Sequence, residues 1–252
     1  MKILLELTYV GDGFAGYQVQ PAKPTIQSAL QDAIEKVYGE RYPVKGCSRT
    51  DAGVHALQYY ATYDTEKTIP CERIPQALNS ALDKRIAVRS AMVVRDDFHV
   101  RHDVLYKEYE YLILTGRIPD PFYVGRVWHY PKPLCDDAVV RMKNAASAFL
   151  GTHDFSGFMS AGSNVADTVR TIKHIDVVKY GDLMRIRIAA DGFLYNMVRI
   201  IVGTLIEVAA GKLEPHDMAD IIASCERSRA GMTAPPEGLY LRRVEFNENK
   251  IC

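Results

Sequence analysis

Residues 46 to 55 bring together side chains that can do chemistry in one short polar segment. Arg49 stands two positions before Asp51, Thr50 separates them, and Gly53 and His55 follow closely. A carboxylate presented by such a loop can act as a nucleophile or as a general base, and a cation beside it favours the ionised form. The alternative is a connecting turn in which Asp51 caps backbone N–H groups. These residue types alone leave both interpretations open.

A second set of candidates lies farther along the chain. Tyr109 and Tyr111 alternate on one face of a predicted strand, with Lys107 beside them. An aromatic ring there can stack on an extruded base, although Tyr111 could equally be core. Arg199 lies at the start of an otherwise apolar helix, where a buried guanidinium needs a carboxylate partner. In the alternative interpretation Arg199 extends to solvent at the helix end.

The segment Gly11–Gly16 matches the pattern G-x-G-x-x-G directly after a predicted strand. A dinucleotide-binding turn requires the last glycine to open a helix whose N-terminus receives the pyrophosphate. Here Pro21 and Pro24 follow instead, so the context excludes that interpretation. We therefore predict a flexible or RNA-contacting loop and no nucleotide cofactor.

Metal binding is not predicted from the histidines. His99 and His102, and the pair His153–Asp154, lack further ligands at a spacing that would close a site. His153 follows a predicted helix end at Gly151 and is interpreted as a polar loop residue. The sequence also contains no nucleophile elbow and no P-loop.

The run Arg49–Ala56 resembles the signature loop of the TruA family of tRNA pseudouridine synthases. The resemblance extends over nearly the whole chain through the motifs Gly13–Gly16, Asp97–Arg101, Lys107–Tyr111, Gly151–Phe155, Thr168–Ile172, Gly192–Arg199 and Glu237–Leu241. The chain departs from the family pattern at Val10, Tyr17 and Ser48, where Asp, Trp and Gly are usual. These departures concern the loop conformation and RNA contacts and not the catalytic assignment.

The resemblance implies isomerisation of uridine to pseudouridine at positions 38, 39 and 40 of the tRNA anticodon stem-loop. It implies that Asp51 is the catalytic nucleophile or base, that Arg199 is its ionic partner and that Tyr109 lies over the target uracil. The implied substrate-binding residues are Arg49, which would fill the gap left by the flipped base, together with Tyr109, His55 and Lys107. The reaction needs no cofactor and no metal. The implied partners are tRNA and a second copy of the chain in a homodimer.

Composition sets the limits within which this function must operate. The chain has 252 residues, and its 31 basic side chains balance 31 acidic ones. An RNA partner must therefore be held by a local basic surface. Basic residues cluster at Arg85, Arg89, Arg95 and Arg101, and again at Arg170, Lys173, Lys179, Arg185 and Arg187. Many of them are expected to be only a solvated strand face.

Cysteine usage and hydropathy predict a cytoplasmic protein. The five cysteines are widely spaced and contain no C-x-x-C pair, namely Cys47, Cys71, Cys135, Cys225 and Cys252. Neither a disulfide framework nor a zinc site is suggested, which favours a reducing compartment. The N-terminus lacks the apolar core of a signal peptide, and the most apolar stretch, residues 200–210, is too short to span a membrane.

Hydrophobic periodicity places these residues on two successive β-α-β-β-α-β patterns. The first has strands over residues 2–10, near 44, over 57–63 and over 86–94, with helices over 25–38 and 74–82. The second has strands over 105–114, 168–180, 183–190 and 238–246, with helices over 136–150 and 193–211 and an extra helix over 218–226. We predict an α+β fold of two ferredoxin-like halves with mixed or antiparallel sheets side by side and a central catalytic cleft.

In that prediction, residues 1–103 carry the catalytic loop and residues 104–252 complete the cleft. Two rivals stay open at this point. One is a non-catalytic RNA-binding protein on the same platform, which the joint presence of Asp51, Tyr109 and Arg199 disfavours. The other is a related enzyme that acts on a different RNA.

Overall fold

The computed structural model describes residues 1–162 and 165–251 and has an α+β fold. Cys252 lies outside the described residues. The strands are β1 (Lys2–Tyr9), β2 (Lys45–Gly46), β3 (His55–Asp64), β4 (Ile86–Val94), β5 (Val104–Leu114), β6 (Trp128–His129), β7 (Gly151–Asp154), β8 (Val169–Tyr180), β9 (Leu183–Ala190) and β10 (Leu239–Phe246). The helices are α1 (Ile26–Tyr38), α2 (Ile74–Asn79), α3 (Ala138–Ser147), α4 (Met197–Ala209), α5 (Met218–Ser224) and α6 (Glu248–Ile251).

The chain divides into two compact units. The first unit contains residues 1–107 and 240–252, and the second contains residues 108–239. The last strand, β10, thus lies almost entirely in the first unit, although it was predicted as part of the second half. None of the helices in the described part of the chain is long and apolar enough to cross a membrane.

The first unit is a sheet with the strand order β4-β1-β3-β10, in which β2 also pairs with β3. Strand β1 is antiparallel to both β3 and β4, β2 is antiparallel to β3, and β10 runs parallel to β3. Elements β1 to β4 follow the predicted β-α-β-β-α-β order. Leu57 and Tyr59 lie on the same face of β3, but Leu57 is 42% exposed whereas Tyr59 is buried. The buried part of this face therefore begins at Tyr59.

Helix α1 has the boundaries that local chemistry predicts. Thr25 is the N-cap, and its side chain accepts a hydrogen bond from the Ser28 N–H while the Ser28 hydroxyl accepts from the Thr25 N–H. Gly39 ends the helix in the left-handed region, with φ +73°. Its buried residues Ile26, Leu30, Ala33 and Ile34 pack one face of the helix into the core.

The second unit has the strand order β5-β9-β8-β7, with β6 parallel to β5. Strands β8 and β9 form the predicted hairpin, in which Tyr180 pairs with Leu183 across a turn at Gly181. Strand β7 was not predicted, and His153, expected in a loop, pairs with Arg170 of β8. Helix α4 begins at Met197 and not at Phe193, because Asn196 takes a left-handed conformation with φ +61° and breaks the helical path. Helices α2, α3 and α5 are also shorter than predicted.

Candidate active site

The loop that carries Asp51 joins β2 to β3 in the first unit, and burial alternates along it. Ser48 and Thr50 are buried, with 9% and 7% of their surfaces exposed, whereas Arg49 is exposed and Asp51 half-exposed. The loop closes into a turn in which the Val54 N–H donates to the Asp51 carbonyl at 3.1 Å. The two charged side chains are thus left accessible, while Ser48 and Thr50, on either side of Arg49, are buried.

Gly11 and Gly16 lie directly against this loop. A Cβ atom on Gly11 would fall 2.1 Å from the Val54 carbonyl oxygen, and one on Gly16 would fall 2.5 Å from the Thr50 carbonyl oxygen. Gly16 also has a φ of +95°, which side chains rarely adopt. The first and last glycines of the G-x-G-x-x-G pattern are therefore explained by close backbone approach to the Asp51 loop, a role that was not predicted.

His55 begins β3 and is buried, with 1% of its surface exposed. Its Nδ1 accepts a hydrogen bond from the Gly11 N–H at 3.0 Å, and its ring stacks on Tyr240 with the centroids 4.6 Å apart. Tyr240 is its register partner in β10. These contacts tie the end of the Asp51 loop to the glycine segment and to β10 within the first unit. The substrate-binding role assigned to His55 by resemblance stays a prediction.

Lys107 is the last residue of the first unit and is half-buried. Burial is the main cause that lowers the pKa of its ammonium below the usual 10.5, and the positive charge of Arg101 acts in the same direction. Burial also raises the pKa of the neighbouring Cys47 thiol to about 11, so this thiol is neutral at pH 7. A cation kept in such surroundings destabilises the folded chain, which is consistent with a role in binding an anion.

We expect the substitution Lys107→Met to raise the melting temperature at pH 7 by a few degrees, because it removes a half-buried charge and keeps the side-chain volume. The pKa of Lys107 is lower in the folded chain than in the unfolded chain, so the charged lysine destabilises the fold by its full amount at any pH below the folded-state pKa. This destabilisation disappears as the pH rises through 10.5, the usual pKa of lysine in the unfolded chain. The gain measured by thermal denaturation should therefore shrink in alkaline buffer.

The same Lys107→Met variant should bind tRNA more weakly, and the slope of log affinity against log salt should fall by about one. Lys84→Met, at an exposed position of the same unit, is the matched control. An unchanged salt slope with the predicted gain in stability would contradict an RNA-binding role for Lys107.

Tyr109 and Tyr111 lie on β5 in the second unit and are both buried, with 6% and 0% of their surfaces exposed. The Tyr109 ring meets Phe193 edge to face, with centroids 5.0 Å apart and planes at 84°. The Tyr111 hydroxyl donates to the Pro235 carbonyl at 2.6 Å. Tyr111 is therefore a core residue, which was one of the two interpretations of its position.

Arg199 lies in the first turn of α4, also in the second unit. Its Nε donates to the Ala234 carbonyl at 2.7 Å, and its Nη1 donates to the Asn196 side-chain oxygen at 2.7 Å. Asn196 is held in turn by a bond from its amide nitrogen to the Ser160 hydroxyl at 2.9 Å. The guanidinium is therefore fixed by specific hydrogen bonds at the helix start.

Several residues of the two predicted basic clusters are engaged with carboxylates. Arg85 pairs with Asp83 at 2.8 Å and Arg95 with Asp97 at 3.0 Å, both at exposed positions. In the second unit Arg187 donates to Glu110 at 2.7 Å. These pairs reduce the local positive potential that either cluster presents to phosphate.

Two tyrosines that hold the Asp51 loop were not predicted from the sequence. The Tyr9 hydroxyl lies 2.8 Å from the Thr50 hydroxyl, and the Tyr59 hydroxyl bonds to the backbone of Ser48. Both tyrosines were interpreted only as strand residues, and no local pattern reports a hydrogen bond between separate segments. Among the residues that the structure describes, no group of three or more His, Cys, Asp or Glu side chains could hold a metal ion.

Comparison with known proteins decides the family. The sequence profile described as tRNA pseudouridine synthase matches residues 7–103 and 145–247, which include Asp51 and Arg199. The chain belongs to this tRNA pseudouridine synthase family. The predicted family resemblance is therefore confirmed, and as a pseudouridine synthase the protein is an isomerase.

Individual relatives of this synthase align over almost their whole length. It is 44% identical over 245 residues to tRNA pseudouridine synthase A of Thermoanaerobacter sp. strain X514, covering 97% of this chain and 99% of the relative. It is 41% identical over 249 residues to tRNA pseudouridine synthase A of Bacillus subtilis strain 168, covering 98% and 100%. The enzyme of the same name from Staphylococcus aureus strain MRSA252 is 38% identical over 251 residues, covering 100% and 94%.

Proposed function

We propose that the protein converts uridine to pseudouridine at positions 38, 39 and 40 of the tRNA anticodon stem-loop, with Asp51 as the catalytic carboxylate. The observation that carries the proposal is the accessible Asp51 side chain on a loop in which Ser48, Thr50 and Val54 are buried and hydrogen-bonded. The loop sequence is the one by which the chain resembles the family. A carboxylate that is both accessible and held on a rigid support is what group transfer at a sugar carbon requires.

The reaction rearranges atoms without gaining or losing any. The bond between uracil N1 and ribose C1′ breaks, the base turns, and a bond forms between C5 and C1′. The proton on C5 is lost and N1 gains one, so neither an oxidant nor water is consumed. Asp51 either attacks C1′ and is displaced when C5 attacks, or removes the 2′ proton and returns it.

An isotope experiment separates these two roles of Asp51. A tRNA carrying deuterium at the 2′ carbon of the target uridine reacts several-fold more slowly if removal of that hydrogen limits the rate. The same tRNA reacts at nearly the ordinary rate if Asp51 attacks C1′ in the limiting step. The protium tRNA is the reference in the same reaction mixture.

The other site residues take the roles that the resemblance implies. Tyr109 stacks on the target uracil, Arg199 favours the ionised form of Asp51, and Arg49 fills the gap that the flipped base leaves. The edge-to-face contact of Tyr109 with Phe193 and the hydrogen bonds of Arg199 support these roles, because they hold both side chains in defined rotamers.

The test is direct. The protein is incubated with an unmodified tRNA transcript and pseudouridine is mapped along the chain, beside a transcript with cytidine at positions 38–40. Pseudouridine in the first transcript alone is the expected result. Pseudouridine at other positions would make the protein a synthase with another target. Binding of the tRNA without any pseudouridine would favour the alternative of a non-catalytic RNA-binding protein.

We further propose a cytoplasmic homodimer that holds one tRNA across both subunits. The four described cysteines, Cys47, Cys71, Cys135 and Cys225, are free thiols, which supports a reducing compartment. Exposed apolar side chains between β5 and β6, at Ile118, Phe122 and Val124, support self-association. Sedimentation equilibrium that returns the 28.3 kDa mass of a single chain would refute the dimer.

We also propose that each half of the chain is ferredoxin-like. In the first unit this is supported by the order β4-β1-β3-β2 with antiparallel neighbours, which is the order of two interleaved β-α-β units. An experimental structure in which the second half has a different strand order would contradict the proposal.

A further inference from the structure

A cluster of three buried tyrosines lies beneath the Asp51 loop in the first unit. Tyr9, Tyr17 and Tyr59 expose 3%, 3% and 0% of their surfaces. The Tyr17 and Tyr59 rings are stacked with centroids 4.6 Å apart, and the Tyr9 and Tyr59 rings are 5.4 Å apart. Such packing leaves each ring essentially one rotamer, so each hydroxyl is held at a defined position.

Polar groups of this cluster reach the loop at two residues. The Tyr59 hydroxyl donates to the Ser48 carbonyl and accepts from the Ser48 N–H at 3.4 Å. The Tyr9 hydroxyl lies 2.8 Å from the Thr50 hydroxyl, and the Tyr17 N–H donates to the Thr50 carbonyl at 3.0 Å. The residues on either side of Arg49 are thus both fastened to the core, and Thr50 precedes Asp51 directly.

Glycine contacts limit the loop from a second direction. Gly16 and Gly11 approach the carbonyl oxygens of Thr50 and Val54 so closely that no side chain fits at either glycine. The Asp51 turn therefore cannot move toward the glycine segment. The tyrosine bonds oppose movement away from the cluster, and together these constraints define the position of the Asp51 backbone.

We infer that Tyr59, assisted by Tyr9, is a positioning residue for Asp51. This inference rests on the proposed function of Asp51. Neither hydroxyl takes part in the chemistry. They act by holding Ser48 and Thr50, and through these residues the backbone of Asp51. The position of Asp51 matters because displacement of a reacting group by about 1 Å lowers a rate by about 100-fold.

The test compares conservative variants that remove one hydroxyl each. Tyr59→Phe keeps the ring stacked on Tyr17 and deletes both bonds to Ser48. Tyr63→Phe is the matched control, because Tyr63 lies on the same strand, is 1% exposed and bonds through its hydroxyl to that of Tyr38, at 2.8 Å. Its partner Tyr38 belongs to α1 and not to the Asp51 loop.

We expect Tyr59→Phe to lower kcat by about 10-fold and the double variant Tyr9→Phe/Tyr59→Phe by about 100-fold. The KM for tRNA should stay within about twofold, since neither hydroxyl is placed on the substrate. Tyr63→Phe should keep the wild-type kcat. Full kcat in the double variant, or an equal loss in the control, would overturn the inference.

Amide hydrogen exchange provides a readout that does not depend on activity. The Ser48 N–H should exchange about 10-fold faster in Tyr59→Phe than in the wild type or in Tyr63→Phe, because the Tyr59 oxygen that accepts from it is gone. Unchanged protection of Ser48 would also overturn the inference. Failure of the proposed function is a separate result, namely a wild-type protein that forms no pseudouridine while the exchange difference is still present.

Discussion

Replacing Asp51 with asparagine is expected to reduce pseudouridine formation in a tRNA transcript by at least about 1,000-fold. The amide has the same shape as the carboxylate but neither attacks C1′ nor removes the 2′ proton. The fold should be unchanged, because the Asp51 side chain is half-exposed and the turn is closed by its backbone carbonyl, which accepts from Val54 at 3.1 Å. Pseudouridine mapping under single-turnover conditions measures the loss.

Asp97→Asn is the matched control for this prediction. Asp97 is an exposed carboxylate of the same unit, where its pKa is lowered by the adjacent Arg95 guanidinium, and it lies outside the Asp51 loop. The control should retain activity and tRNA affinity. An Asp51→Asn protein that is folded and as active as Asp97→Asn would exclude Asp51 as the catalytic carboxylate.

The second large effect is expected at Gly16. Gly16→Ala places a Cβ 2.5 Å from the Thr50 carbonyl oxygen at a residue whose φ is +95°. The left-handed backbone and the forced displacement of the loop should together lower the free energy of unfolding by about 2 to 4 kcal/mol. The displaced atoms belong to the residue directly before Asp51. Activity should therefore fall by more than about 10-fold even at temperatures where the variant is folded.

Gly39→Ala separates backbone strain from loop displacement. Gly39 ends α1 with a φ of +73°, and the nearest atom to a Cβ added there is the flexible Lys67 ammonium at 4.0 Å. This variant should lose about 1 kcal/mol of stability and keep its activity. Urea denaturation and pseudouridine assays of both variants provide the comparison. Equal activity of Gly16→Ala and Gly39→Ala would show that the glycine segment does not position the Asp51 loop.

Elements whose cause is local were predicted well. Thr25 and Gly39 bound α1 because capping and left-handed termination depend on the residue itself and its immediate neighbours. Strand β4 and strand β9 have the predicted boundaries because alternation over eight or nine residues is a strong signal. The strands that were missed altogether are short. Strands β6 and β7 span two and four residues, too few to show a period.

The loop with Asp51 shows most clearly which features the sequence predicts and which depend on tertiary structure. The residue types from Arg49 to His55 were sufficient to predict a catalytic carboxylate through the family resemblance, and the family itself is confirmed. The burial of His55 could not be predicted from the sequence, because it depends on pairing with β10, which is nearly two hundred residues later in the chain. The same holds for Tyr9 and Tyr59, whose hydroxyl partners are set by the packing of separate segments.

The sequence by itself determined the chemistry that is available and the family to which the chain belongs. It did so because functional side chains at fixed spacing are a local property of the chain. Only the tertiary structure decided why Gly11 and Gly16 are glycines and which groups hold the Asp51 loop in place. Close approach and hydrogen bonding between distant segments depend on how the sheet brings these segments together, and no periodicity within a single segment records that.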